Sequence, residues 1–517
     1  MAAEDVGYGC VMAIPLGSVT VSNYASVYSD KNEYSHDRYC NNGIYNYQGE
    51  KMDKLTVMRC VLSLSTGLVY QSAIAANWFE IQTISLPEWG YGRVIGLLAP
   101  LYTDIAASPV VAPKTLINDQ TARFNQVGPA FDSSSQLIMQ HARLFIRGSI
   151  NPDISYYVGT EMGQNGYAYS WGNYAPRIID ADMVFSHYIP GVRVEVGNIR
   201  APGPEGAMEG FMAFNFIDQF ATGLQQLMLP TFYNNGLKYK LATPGTKDGY
   251  AVPGTDLSGN NGFRYPGIQA EDWFMVAPKT EIAYAMMLGD YGRLLDTGTS
   301  NGPIAAGRLQ ASYIFNEDGG RFFRNDVTGF IWAQAAHPQI GVAPGQAVPT
   351  SNNMTRDGFG MTWRNGFMQT GALDFKAEYF EGRGNIAAPA VFDETPGMAA
   401  AQTPALYDEV VYAGSNNTAH GYDISGGYFL TRQLEAVLRY DYYDRLPNLA
   451  AQERVFKDTS AALEYHISPL TRVVLDYIDR SIAIPNPGAL GAGLTQAAAI
   501  VNSIGNQMDI WAVFAFK

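Results

Sequence analysis

From about residue 90 the chain alternates apolar and polar positions with a period of two over segments of roughly 8–13 residues, each closed by turn-forming residues. Successive side chains of an extended strand point to opposite faces, so this pattern predicts two-faced strands. In 140–147, Ala142, Leu144 and Ile146 share one face, with His141, Arg143 and Arg147 on the other. Asn151-Pro152-Asp153 then turns the chain, and 154–163 returns with Glu161 on its polar side. Ile179, Ala181, Met183 and Phe185 oppose Asp180, Asp182 and Ser186; after Ile189-Pro190-Gly191, Val192, Val194 and Val196 alternate with Arg193, Glu195 and Gly197. Toward the C-terminus, Leu434, Ala436, Leu438, Tyr440 and Tyr442 oppose Glu435, Arg439 and Asp441. Ala461, Leu463 and Tyr465 oppose Asp458, Ser460 and Glu464; past Ser468-Pro469, Val473, Leu475 and Tyr477 oppose Arg472 and Asp476. Segments 304–315 and 371–381 repeat the pattern, with Arg308, Gln310 and Ser312, then Asp374, Lys376 and Glu378, on the polar face.

Alternation alone fits a soluble β-sandwich as well as a membrane barrel. The strand lengths lie near the roughly 9–11 residues that cross a bilayer, and Tyr, Phe and Trp recur at the ends of the apolar faces. Short turns also alternate with long Gly/Asn/Pro-rich connections at 234–270, 338–357 and 383–418. The expectation is an all-β chain: a transmembrane antiparallel β-barrel of about 16 strands, with short periplasmic turns, long external loops and the polar face inward.

Charged residues make up 16% of the 517 positions and the net charge is −14. So few cations exclude general nucleic-acid binding, and aromatic residues at 13% exclude disorder. Residues 1–30 hold Glu4, Asp5 and Asp30 but no Lys or Arg, so no secretory leader starts at Met1. Met52 to Arg59 instead makes a basic n-region, Cys60 to Tyr70 an apolar h-region, and Ala73-Ile74-Ala75 a cleavage site. The alternative for this stretch is a buried core helix or strand; for a membrane-spanning helix of about 20 residues it is too short. The expected organisation is an upstream extension over 1–51, a signal peptide over 52–75, and a barrel domain over 76–517. All three cysteines (Cys10, Cys40, Cys60) precede the cleavage point, as suits an exported chain.

Catalytic signals are missing from the sequence. It has no G-x-S-x-G, no P-loop and no C-x-x-C-H, and its six histidines lack metal-ligand spacing. Asp180 and Asp182 share a face, as any two lumenal acids on one strand do. No enzyme activity, cofactor or metal is expected. The inferred inward faces carry Arg143, Arg147, Arg193, Arg308, Lys376, Arg439 and Arg472, but also Glu161, Asp180, Asp182, Glu195, Asp374, Glu378, Glu435, Asp441 and Asp476. Mixed signs predict ion-pair networks as readily as an anion ladder.

Three stretches carry a resemblance: ARLFIRGSINPDISYYVGTEMG (142–163), IIDADMVFSHYIPGVRVEVGNIRAPGPEG (178–206), and GYFLTRQLEAVLRYDYYDR (427–445) with TSAALEYHISPLTRVVLDYIDR (459–480). In these the chain resembles the phosphate-selective porin O and P family of Gram-negative outer membranes. The resemblance implies a sixteen-stranded barrel, usually a homotrimer in lipid and lipopolysaccharide, with a loop folded inward and passive diffusion of small anions such as phosphate. It places Arg200, before Ala201-Pro202-Gly203, at the constriction; Arg143, Arg147, Arg193, Arg308, Lys376, Arg439 and Arg472, read onto the inward faces from the alternation, are the further pore-lining candidates. The last strand, with Met508, Ile510, Ala512, Phe514 and Phe516 on one face before Lys517, resembles the signal read by the barrel assembly machinery. Two other functions stay open: a non-conducting scaffold barrel around a partner, and a secreted β-rich binding protein.

Overall fold

The structure, a computed structural model, describes residues 92–108, 134–163, 176–209, 222–228, 263–291, 302–316, 324–337, 353–389 and 414–516, with short pieces at 110–111, 121–122, 169–170, 173–174 and 409–412. The expected extension (1–51) and signal peptide (52–75) lie outside the described residues.

Sixteen strands close into one antiparallel barrel. In chain order they are β1 (Gly92–Ile105), β2 (Ser134–Asn151), β3 (Ile154–Glu161), β4 (Arg177–Ile189), β5 (Val192–Arg200), β6 (Arg264–Ala277), β7 (Thr280–Asp290) and β8 (Pro303–Asn316). There follow β9 (Asn325–Ala336), β10 (Met354–Asn365), β11 (Leu373–Arg383), β12 (Thr418–Phe429), β13 (Leu434–Arg445), β14 (Arg454–Ser468), β15 (Thr471–Ala483) and β16 (Gln507–Phe516). Each pairs with its sequence neighbour, and β16 seals the ring against β1 with Leu98 opposite Phe514 and Leu101 opposite Trp511. Tight turns join β2–β3, β4–β5, β6–β7 and β14–β15 at the end that holds Gly92 and Phe516; β5 and β11 end, and β6 and β12 begin, at the opposite end, where longer connections leave the wall.

The outer face carries the apolar residues of the alternation. Leu288 is 71% exposed and Leu438 65%, values that make sense only against lipid. Trp363, Tyr428, Tyr465 and Phe514 stand exposed on this face toward the short-turn end, and Tyr422 stacks on Tyr442 (5.3 Å between centroids) toward the other. Such rings suit the two lipid–water boundaries.

Three sequence expectations are corrected. The connections expected at 234–270 and 338–357 end earlier: β6 begins at Arg264 and β10 at Met354. Ile179 does not face lipid with Ala181. Gly159 pairs with Asp180 but Thr160 with Ile178, so Ile179 is the extra residue of a bulge, buried while Ile178 is exposed. One inserted residue reverses the facing of everything beyond it. The inner face is also less polar than alternation suggests. Leu97, Leu101, Val437, Val474, Trp511 and Val513 form a buried cluster on the lumenal side of β1 and β13–β16.

Gly96 pairs with Phe516, whose ring occupies the space a Cβ at Gly96 would take. Gly96→Leu is expected to displace the terminal aromatic and destabilise the seal by about 1–3 kcal/mol. Guanidinium unfolding in micelles, followed by tryptophan fluorescence, should show an earlier midpoint.

Candidate functional site: the lumen and the segment folded into it

After β5 the chain leaves the wall and turns inward. Residues 201–209 are all buried, and they include a short helix, α1 (Glu205–Met208). Pro204 is extended (φ −60, ψ 156), and prolines on either side of Gly203 leave this stretch with carbonyls to satisfy and few donors. The wall supplies the donors. Gln334 Nε2 on β9 donates to the Pro202 carbonyl (2.9 Å), and Arg308 Nη1 on β8 to that of Gly203 (2.8 Å). Arg308 also pairs with the Glu205 carboxylate. The first helical N–H, that of Glu205, donates to the Glu378 carboxylate on β11 (3.1 Å), which also accepts from Trp332 Nε1 (2.7 Å). At the far end of α1, Glu209 meets Arg364 (3.5 Å) and Lys376 (3.9 Å), while Arg200 Nη1 donates to the Met208 and Glu209 carbonyls (3.4 and 3.3 Å).

A second helix, α2 (Thr222–Met228), belongs to the same inward excursion. Thr222 Oγ1 donates to Asp458 on β14, Arg445 Nη1 on β13 to the Gln226 side chain (3.3 Å), and Arg356 Nε on β10 to the Leu227 carbonyl (3.3 Å). Between these polar ties Ala207, Leu224, Leu227 and Met228 pack on Phe330, Trp332, Phe380, Tyr443 and Phe456 of the wall. The segment is therefore wedged from β8 across to β14.

The cations singled out in the sequence lie on the inner side of the wall, and most of them face a carboxylate. Arg143 holds Glu161 (2.6 Å), which also accepts from His141 (2.8 Å). Arg193 approaches Glu271 (3.8 Å) and lies over Trp273. Lys376 stands between Glu209 and Asp423 (3.9 and 3.8 Å), Arg439 binds Asp441 (3.1 Å), and Arg472 binds Glu464 (3.3 Å). Arg147 is buried in register with Tyr157, itself opposite Asp182. Arg200 serves the carbonyls of the inward segment. Pairs this deeply buried add little net stability, but breaking one strands a charge.

Several lumenal groups escaped the sequence reading. Arg264 holds Asp180, Arg324 holds Glu281 and Asp326 (2.8 and 2.7 Å), and Arg364 holds Asp374 (2.8 Å). Arg356 and Arg364 were legible, since they share parity on β10 against the exposed Phe359, Met361 and Trp363. Glu435, Glu464 and His466 bring ligand atoms within 4.8 Å of one another. Their spacing hides this because Glu435 reaches Glu464 only through the pairing of β13 with β14.

A comparison with protein-family models gives no match, and a comparison with curated proteins gives none. Solved structures do match in outline. The anion-selective porin from Comamonas acidovorans is 10% identical, covering 82% of this chain and 99% of its own, with a TM-score of 0.46. An OmpF of Salmonella typhi in complex with daunomycin is 11% identical over 82% of this chain and 97% of its own (TM-score 0.44). The outer-membrane channel DcaP of Acinetobacter baumannii is 10% identical over 84% and 100% (TM-score 0.42).

Removing the cation from the best-buried tie should release the segment. Arg308→Ala leaves Glu205 buried without its partner, an expected loss of about 3–5 kcal/mol, read as new protease cleavage within 201–228 while the barrel stays folded. The seating should also depend on pH. Burial pushes the Glu209 carboxyl up to about 7; Lys376 and Arg364 oppose this, and Glu205 and Asp374 add to it. A raised pKa means the seated form binds the proton more tightly. Seating is strongest below the ordinary carboxylate range and weakens as pH rises through about 7. Cleavage should increase between about pH 5 and about pH 8, and Glu209→Gln should flatten that dependence.

Proposed function

We propose that the chain is an outer-membrane channel through which small hydrophilic solutes diffuse passively, with a weak charge preference. The observation that carries this reading is a closed barrel, apolar outside and charged inside, with a chain segment tied across its lumen. Such an interior offers a polar path, and such a segment sets its width. A preference for anions such as phosphate is the finer reading. Arg143, Arg147, Arg193, Arg200, Arg308, Lys376, Arg439 and Arg472 support it, because guanidinium forks suit phosphate oxygens. The carboxylates against most of these cations favour weak selectivity instead. Export by a leader near 52–75, contact with lipid and lipopolysaccharide through the outer band, recognition of the last strand by the assembly machinery, and a homotrimer complete the proposal.

A second reading, a scaffold barrel with an occupied lumen, is favoured by the apolar packing of α2 inside the wall. Planar-bilayer recording of the refolded barrel, with reversal potentials under chloride and phosphate gradients, separates the two. Discrete steps with a reversal potential displaced only slightly from zero are expected. Strong anion preference with block by phosphate would establish the finer reading. An inserted barrel without conductance would overturn the channel and leave the scaffold.

A further inference from the structure

We propose that Glu435, Glu464 and His466 form a binding site for a divalent transition-metal cation of the zinc and cobalt class, on the lumenal wall near the short-turn end. The site is built by strand register. Glu464 and His466 lie two residues apart on β14 and so share the inner face, and Glu435 on β13 stands directly opposite Glu464. His466 Nε2 lies 3.0 Å from Glu435 Oε2 and 3.6 Å from Glu464 Oε2, and all three side chains are at most 2% exposed. One imidazole nitrogen and two carboxylate oxygens lie within 4.8 Å of one another, a ligand set that a single transition-metal cation can bridge.

A second observation points to a cation there. Glu464 is fully buried, and among the described residues neither of its carboxylate oxygens has a hydrogen-bond partner. Its near neighbours are His466 and the Arg472 guanidinium at 3.3 Å, an ion-pair distance. Arg472 is the fixed cation paired with Glu464, and a charged carboxylate left in a dry site is costly. A bound cation would supply the missing charge, with Arg472 orienting Glu464 from outside the ligand set. Phe367 and Phe429 hold the imidazole in place, with ring centroids 5.3 and 5.2 Å from that of His466. The donor set selects the class, since imidazole favours zinc-like ions, whereas calcium and magnesium prefer oxygen ligands alone.

The test uses the untagged barrel in detergent, dialysed against chelator and then titrated with Zn2+ alone and, separately, with Co2+ alone. Close to one equivalent of Zn2+ bound at micromolar concentration is expected, with visible ligand-field absorption for Co2+. His466→Gln and Glu464→Gln should weaken binding at least about tenfold, since losing a ligand costs no less than losing an outer-shell partner. Glu435→Gln, which keeps the volume, serves in place of either variant if that variant fails to give the heat-modifiable folded band. Failure of the wild-type barrel to bind Zn2+, or full retention by the folded variants, would overturn the site and leave a hydrogen-bonded His–Glu pair. Neither outcome depends on whether the barrel conducts.

Discussion

Hydrocarbon offers no partner to a backbone N–H or C=O, so a strand that crosses it must be paired on both edges. The whole molecule follows from that requirement. Pairing every strand with its chain neighbour leaves two edges, β1 and β16, and these must find each other. Closure then fixes the facing of each residue. Outward positions carry mostly Leu, Ile, Val and aromatic side chains, and inward positions carry most of the buried charge. Gly96 fits this logic, because a side chain there would obstruct the terminal aromatic at the seal.

Placing so much charge on an inner wall creates a second problem, which ion pairs solve. Arg143 with Glu161, Arg324 with Glu281 and Asp326, and Arg364 with Asp374 neutralise the wall locally. The same chemistry seats the segment that leaves β5. Arg308 is at once a wall residue, the partner of Glu205 and a donor to Gly203. Wall and segment are therefore one electrostatic unit, and a change in either reaches the other.

Polar ties alone would hold the segment loosely. The packing of α2 on Phe380, Tyr443 and Phe456 excludes water from that side and strengthens the bonds beside it. On β1 and β16, Trp511 and Val513 with Leu97 and Leu101 form a separate apolar patch beneath the seal. The interior is thus partitioned. Apolar patches brace the wall and the segment, and charged rows lie between them.

The amino-acid sequence by itself determined the fold class, a barrel of about 16 two-faced strands with short turns alternating with long connections, because lipid and lumen impose opposite polarity at every second residue. It also determined that Arg143, Arg193, Arg308, Lys376, Arg439 and Arg472 share the inner face with acids. Only the tertiary structure decided which acid meets which cation, since partners such as Arg308 and Glu205 are joined by a chain excursion that local periodicity does not encode. The bulge at Ile179 was illegible for a related reason: an inserted residue costs little locally and is set by the neighbouring strand. The grouping of Glu435, Glu464 and His466 likewise depends on the register of two strands. Alternation records which face a residue occupies; register records its neighbours, and that comes only from closing the barrel.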